Sequence, residues 1–324
     1  MAYSLAELKA AAPNDFLKGV MDFFIEETQL MRKLKWVTVA GLTANVTYTE
    51  DRGVAGFYGI NEEIVPNEIH PKTLAHSVLE LVGEVEIPRL AKKGFSQESI
   101  LEMNTRNETR RMGEVYEEGM FYGTGQGQSL AGLHAHANGG FMQEIHLASS
   151  GTPGACSLLR LNQAIQMMRG KAQVICMSLN TYLYFNALLQ EKGSYTTDRD
   201  EFGQLVTMYQ GLPVMALPVL SEKETNDSTT ERYNGIGAAG AASSIWVLNL
   251  RTSDGVFGIQ NGGMTTDHFD KIERKVGEKV RLVWDCGLAI YPKWCGVRID
   301  GVDAVGQWTL AGAADEADAG ETET

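Results

Sequence analysis

Apolar residues recur at helical spacing from the start of the chain. Ser4–Ala12 opens with a serine cap. Asn14–Thr28 sets Phe16, Leu17, Val20, Phe23 and Phe24 on one face behind an Asn14-Asp15 start signal, so two helices are predicted. The pattern then changes. Lys35–Tyr48 is rich in β-branched and aromatic residues, Thr49-Glu50-Asp51-Arg52-Gly53 is a turn signal, and Val54–Ile60 resumes the strand pattern. This predicts a hairpin with few core partners of its own, kept flexible by Gly41, Gly53, Gly56 and Gly59. After a polar joint with Pro66 and Pro71, Lys72–Ile87 alternates as a strand and Pro88 ends it. The longest helix signal is Ser96–Tyr122, capped by Ser96. At about 1.5 Å per residue it is roughly 40 Å long. Its apolar residues (Ile100, Leu101, Met103, Val115, Met120, Phe121) are sparse, and Glu102 pairs with Arg106 and Arg110 with Glu114 at helical spacing. The helix is therefore expected to lie half solvated on a surface.

Gly123–Gly140 reads as a glycine-rich loop. From Ala155 the pattern is α/β: helix Ala155–Arg169, strand Ala172–Met177, helix Asn180–Lys192, then strands near Gln204–Tyr209 and at Leu212–Leu217. Ser221–Ser243 is polar and then Gly/Ala-rich, the composition of an exposed or mobile loop. Strands are predicted again at Ser244–Leu250, Val256–Ile259, Lys279–Ile290 and Val297–Ile299, ahead of a tail, Ala311–Thr324, with the composition of disorder.

Composition adds two points. The chain has 324 residues, 44% hydrophobic and 21% charged, which suits a packed core larger than one average domain. No apolar run approaches the roughly 18 residues that span a bilayer. The opening MAYSLAELKAAAPND lacks the basic start and apolar stretch of a secretory signal, so no membrane partner is expected. With 28 basic and 41 acidic residues the net charge is -13, and the tail alone holds Asp315, Glu316, Asp318, Glu321 and Glu323 with no base. Such a chain repels phosphate, so contact with nucleic acid is expected to be non-specific only.

Candidate chemistry is sparse. His134, His136 and His146, with Glu144 nearby, could ligate a metal if the H-x-H lay on a strand. Glycines surround them and no carboxylate motif completes the set, so they read as loop histidines, and His70, His76 and His268 stand alone. Gly123-x-Gly125-x-Gly127 lacks the Gly-Lys-Ser/Thr of a P-loop and follows a helix instead of a strand, and Asn234-Gly235-Ile236-Gly237 has no strand leading into it. Cys156 opens a helix, where a thiolate is favoured, but no histidine partner can be named. Cys156, Cys176, Cys286 and Cys295 form no C-x-x-C pair and read as buried thiols in a reducing cell. No G-x-S-x-G is present. The residues thus assign no catalytic group, cofactor or metal. They describe an arm, a projecting hairpin, a long helix, an α/β block with a loop, and a return to strands. Projecting elements without a core of their own need other chains to stabilise them, which marks an assembly subunit.

In this order of elements, and in phrases such as Gln210-Gly211-Leu212-Pro213-Val214 and the closing block Gly255–Val302, the chain resembles the major capsid proteins of tailed bacteriophages (Caudoviricetes), over nearly its whole length. The resemblance implies an α+β, Hong Kong-97-like fold: N-terminal arm 1–34, E-loop hairpin 35–64, peripheral domain 65–154 with its spine helix 96–122, axial domain 155–255, a return to the peripheral domain over 256–310, and a disordered acidic tail 311–324. It implies self-assembly into hexamers and pentamers of an icosahedral head around double-stranded DNA, in a virion assembled in the host bacterial cytoplasm. Its expected partners are other copies of itself, a scaffold protein, a portal and, optionally, a decoration protein. Contacts between subunits are expected from the E-loop tip (Thr49, Glu50, Asp51, Arg52, Gly53, Phe57) and from an axial loop (Glu222, Lys223, Glu224, Glu231, Arg232). Some relatives carry a long coiled-coil extension that acts as internal scaffold. Here only Met1–Leu34 precede the hairpin, which favours a separate scaffold. Some relatives also cross-link an E-loop lysine to a neighbour's asparagine, but no lysine occurs between Trp36 and Pro71. Two other readings stay open: a cellular nanocompartment shell of the same fold around a cargo enzyme, and a metal-dependent hydrolase using His134 and His136.

Overall fold

The computed structural model describes residues 2–10, 12, 18–22, 24, 28–49, 57–60, 70–88, 97–147, 153–194, 196–199, 205–220, 224, 236–237, 240–269, 277–303 and 308–309. The chain opens with β1 (Ala2–Tyr3) and α1 (Leu5–Ala10). A capping box starts α1: Ser4 Oγ accepts the Glu7 N–H (3.3 Å) and Glu7 Oε2 accepts the Ser4 N–H (2.7 Å). Then come α2 (Gln29–Lys33), β2 (Trp36–Thr38), β3 (Thr43–Thr49), β4 (Pro71–Ser77) and β5 (Leu79–Pro88). The long helix α3 (Gln97–Tyr122) is followed by α4 (Leu133–Asn138), β6 (Gln143–His146), α5 (Leu158–Met167), β7 (Val174–Met177) and α6 (Leu179–Glu191). The rest is β: β8 (Thr196–Arg199), β9 (Leu205–Tyr209), β10 (Leu212–Ala216), β11 (Ile236–Gly237), β12 (Gly240–Leu248), β13 (Val256–Gln260), β14 (Thr265–Phe269), β15 (Gly277–Ile290) and β16 (Gly296–Asp303).

Two sheets organise these elements. One runs β1-β2-β13-β15-β14, with β5 also paired to β15, and the other runs β6-β16-β12-β7-β10-β9-β8. All four residues of β7 are buried, because the second sheet is covered on both faces. Strand alternation sorts its side chains into two cores. Ile175, Met177, Ile245, Val247, Val297 and Ile299 face α5 and α6, where Leu161, Ala164, Phe185 and Leu189 close the layer. Both helices start at serine caps: Ser157 accepts the Arg160 N–H, and Ser178 the Thr181 N–H. Val174, Cys176, Trp246 and Leu248 face the other way, into a core shared with α3, the first sheet and the N-terminal arm.

The arm belongs to that core. Leu5, Val20, Phe24, Leu30, Met31 and Leu34 are each at most 1% exposed. At ~1.5–3 kcal/mol for each large side chain fully buried, they dock the arm on its own subunit. Trp36 seals the junction, its ring tilted against Trp284 at 4.6 Å and 5.3 Å from Tyr116, whose hydroxyl donates to the Gly287 carbonyl (2.9 Å). Gly258 is required here, since a Cβ on it would lie 2.5 Å from the Trp36 ring.

Several expectations are corrected. Val54–Ile60 does not form the hairpin's second arm: residues 57–60 are not strand, residues 54–56 lie outside the described residues, and β3 pairs with β4 from Thr43↔Ser77 to Thr49↔Pro71. The single strand expected over Lys72–Ile87 is therefore two, broken at buried Val78. Among its described side chains the long helix is half solvated as far as Val115, but its other face (Thr105, Thr109, Met112, Tyr116, Met120) is buried, and from Tyr116 to Tyr122 no side chain is exposed, so it runs into the core and not only along a surface. The glycine-rich loop contains a helix, α4, which buries Leu133 and Ala137. Strands β6, β8 and β14 lie where none was predicted, and β6 and β16 share a sheet with β7 and β12. Most of the helix expected at Asn14–Thr28, and the whole tail from Ala311, lie outside the described residues.

Candidate assembly surfaces

The hairpin is rooted on the body, and the next described residues beyond β3, 57–60, are all exposed. At its root, Ala44, Val46 and Val78 pack against Phe257, Ile259 and Ala289 in a third, small core. Thr49, the last residue of β3, is exposed, and beyond it Phe57 and Ile60 are fully exposed apolar side chains. Glu50, Asp51, Arg52 and Gly53 lie outside the described residues. Large apolar side chains held in water between the two strands of a rooted hairpin suit burial against another surface. Sequence reasoning missed a second set: Leu159 on α5, and Leu179 and Leu183 on α6, are 49–63% exposed on the side of these helices away from the sheet. The available signal was the i,i+4 spacing of Leu179 and Leu183 opposite the buried face of Phe185 and Leu189.

The loop expected at the axis is anchored from within. Glu222, Lys223, Glu231 and Arg232 lie outside the described residues, but Glu224 is 4% exposed, so its expected place on an inter-subunit surface is corrected to the interior. Its N–H donates to the Ala242 carbonyl (2.8 Å), and its carboxylate accepts the hydroxyls of Tyr122 and Ser244. A register shift in β12 between Ser243 and Ile245 aims the Ser244 hydroxyl inward. Arg298, 1% exposed, faces Glu224 at 3.8 Å and donates to Asp300 (2.8 Å), Glu144 (3.2 Å) and Ser244 (3.1 Å). Its guanidinium stands over the Trp246 ring, 5.6 Å from the centroid. Burial alone would raise the Glu224 carboxyl, but His134 (3.5 Å), Arg298 and Ser244 outweigh it and hold the group below the usual carboxylate range. The missed residue here is Arg298. Its signal was a lone cation in the apolar run Val297-Arg298-Ile299, which demands buried partners.

No protein-family model and no curated protein matches the sequence. Solved structures do. The holo-SrpI encapsulin of Synechococcus elongatus PCC 7942 superposes with a TM-score of 0.60 at 17% identity, over 86% of this chain and 88% of that one. The capsid of cyanophage P-SCSP1u gives 0.55 at 11%, over 83% and 86%. The virus-like particle of Pyrococcus furiosus gives 0.52 at 9%, over 87% and 96%. The chain has the Hong Kong-97-like capsid fold.

Within this capsid fold the candidate chemistry finds structural roles. The H-x-H lies on α4, not on a strand, so its imidazoles point to different places. His134 stacks on Tyr122 (4.8 Å) beside Glu224, while His136 meets His76 edge-on at 5.4 Å. Burial lowers both His136 and His76 to about 4, so this pair is neutral near pH 7. His146 lies apart, 64% exposed, 3.6 Å from Asp300 and 4.0 Å from Glu144. Among the described residues no group of three or more His, Cys, Asp or Glu is placed to hold a metal ion. The Gly123 and Gly125 N–H groups are spent on the Gly119 and Leu130 carbonyls, which leaves them unavailable to a phosphate. Ile236-Gly237 forms β11 against β12. All four cysteines are free and buried, and burial raises the Cys156 thiol far above the range of a nucleophile. No helix among the described residues is long and apolar enough to cross a membrane.

Proposed function

We propose that this chain is a major capsid protein, the repeating subunit of a tailed-phage head. In this reading it forms hexamers and pentamers, assembles on a separate scaffold around a portal in the host cytoplasm, and encloses double-stranded DNA with non-specific contacts. The observation that carries the reading is the rooted hairpin whose exposed Phe57 and Ile60 have no described cover on their own subunit, in a chain whose fold matches capsids over most of its length. Residues 50–60 act as the E-loop tip that covers a neighbour, and Glu222, Lys223, Glu231 and Arg232 line the hexamer or pentamer centre on a loop anchored inside the subunit by Glu224. A shell wall of this kind is held by many moderate contacts per subunit, individually weak enough to correct errors and strong together.

A nanocompartment shell around a cargo enzyme is the second reading. It is favoured by the encapsulin match, at 17% identity and a TM-score of 0.60 against 11% and 0.55 for the cyanophage capsid. Expression of the full chain with and without a scaffold, followed by size-exclusion chromatography and electron micrographs, tests shell formation. A monomer under every condition would sink both readings. Nuclease-protected DNA in particles purified from their natural source supports the first, and a co-purifying enzyme without DNA the second.

A further inference from the structure

A cleft of about 660 Å³ opens between the arm and the second sheet, and four cations line it: Arg32, Lys33, Lys35 and Arg251. Thr252 and Ser253 add hydroxyls. The acid in its lining, Glu7, is already engaged by the N–H and hydroxyl of Ser4. Arg32 is buried, while Lys35 and Arg251 are exposed. In a chain of net charge -13, Lys35 and Arg251 present exposed positive charge at the mouth of this cleft, which suits a polyanion. The same chain supplies one: residues 311–324 carry five carboxylates and no base.

Two arguments favour this segment over nucleic acid. First, DNA must approach against the charge of the whole chain, and about four phosphate contacts give only a weak, salt-sensitive grip. A tethered segment is present at an effective concentration of order mM. Second, the geometry points to another copy. The cleft residues Gln173 and Leu250 flank the sheet end where Leu248 pairs with Gly296, whereas the chain leaves β16 at Asp303, which pairs with Ala242 at the other end, about 23 Å away. Trp308 then packs on Phe185 (5.0 Å) on the α6 side, opposite the arm. A subunit's own tail would have to travel the length of the sheet and round its edge.

We propose that the basic cleft of each subunit holds the acidic carboxyl-terminal segment of a neighbouring copy. The inference rests on the shell reading, because it needs a neighbour in fixed register.

Full-length chains carrying S253C alone and G320C alone, co-expressed and oxidised with copper–phenanthroline, test it. The four native thiols are buried and do not compete. The expected result is a reducible dimer band in assembled particles. It should fall at least tenfold when K35E/R251E is added to the S253C chain, or D315N/E316Q/D318N/E321Q/E323Q to the G320C chain. The second set lies outside the cores and guards against a folding defect in the first. Shells in micrographs without the cross-link overturn the docking and leave the shell reading intact. Absence of shells from the parent chain overturns both. A fast-running cross-linked monomer from the double variant S253C/G320C, with no dimer, overturns the exchange between copies. A 30-nucleotide DNA that is retained by the particles and suppresses the cross-link makes phosphate the ligand, and also overturns the proposal.

Discussion

Arg298 shows how much one residue can carry in this molecule. Its guanidinium is the cation shared by two buried carboxylates, Glu224 and Asp300, and by half-buried Glu144, so removing it leaves three carboxylates without their central cation. Breaking such a buried cluster costs ~3–5 kcal/mol. Arg298→Met is therefore expected to shift urea unfolding of the unassembled subunit by that amount, and Glu224→Gln by less; a Met variant as stable as the parent would disprove the cluster's role. Glu117 on α3 is a second buried group. Burial raises its carboxyl to about 7, against the Leu30 and Met31 N–H groups of α2, which favour the charged form. A folded-state value above the unfolded 4.5 contributes stability that is complete below 4.5 and is lost as pH rises through 7. Glu117→Gln keeps an acceptor and removes the charge. It is expected to be more stable than the parent by on the order of 1–3 kcal/mol near pH 8.5 and level with it near pH 5. Equal stability at both pH values counts against this. Neither group was legible from spacing: Glu224 sits in a polar run that reads as exposed, and its burial depends on Arg298, 74 residues on in the sequence.

At the scale of elements, periodicity located long amphipathic segments well and short or mixed ones poorly. The helices at Gln97–Tyr122 and Leu179–Glu191 and the strand at Gly277–Ile290 lie close to their predicted bounds because one side of each is buried and the other less so, whereas Val256–Gln260, buried at all five positions, was legible as a short apolar run. Helix α4 was missed because its six residues, Leu-His-Ala-His-Ala-Asn, sit among glycines that read as loop. The hairpin's return arm was misplaced because Val54–Ile60 has strand composition, whereas β4 begins at a proline and exposes five of its seven residues. Since the root has its own small core, deleting residues 50–60 is expected to leave the subunit's melting temperature within a few degrees of the parent while abolishing stable shells. Calorimetry and micrographs on the same preparation check both halves. A melted subunit would place the hairpin's end in the core and undo its assignment as a contact with neighbours.

At the scale of the whole molecule, the order of elements was legible and the sharing of one sheet by two cores was not. Alternation says that neighbouring residues of β7 face opposite ways, but not that both faces are covered or by what. In the shell reading, cohesion between subunits is also a property of the whole. With no lysine between Trp36 and Pro71, the hairpin has no amine for an isopeptide bond to a neighbour. Particles boiled in detergent and reductant are expected to run as one band near the 35.5 kDa monomer; a surviving ladder of multimers would contradict non-covalent cohesion.

The shared sheet also bears on inheritance. Its strands come from separated stretches of the gene, with β6 near residue 145 and β16 near residue 300 flanking the rest. A recombination event that imported residues 155–255 from a distant relative would set foreign β7, β10 and β12 against resident β6 and β16, and each strand would have to suit two cores at once. Such chimaeras are expected to misfold. An exchange confined to residues 50–70, beyond the last pair of the hairpin root, touches none of the described core residues. In the shell reading, the end proposed to meet neighbours can therefore be traded or drift quickly while the wall changes slowly, and a lineage of such proteins would write its recent history in its rims.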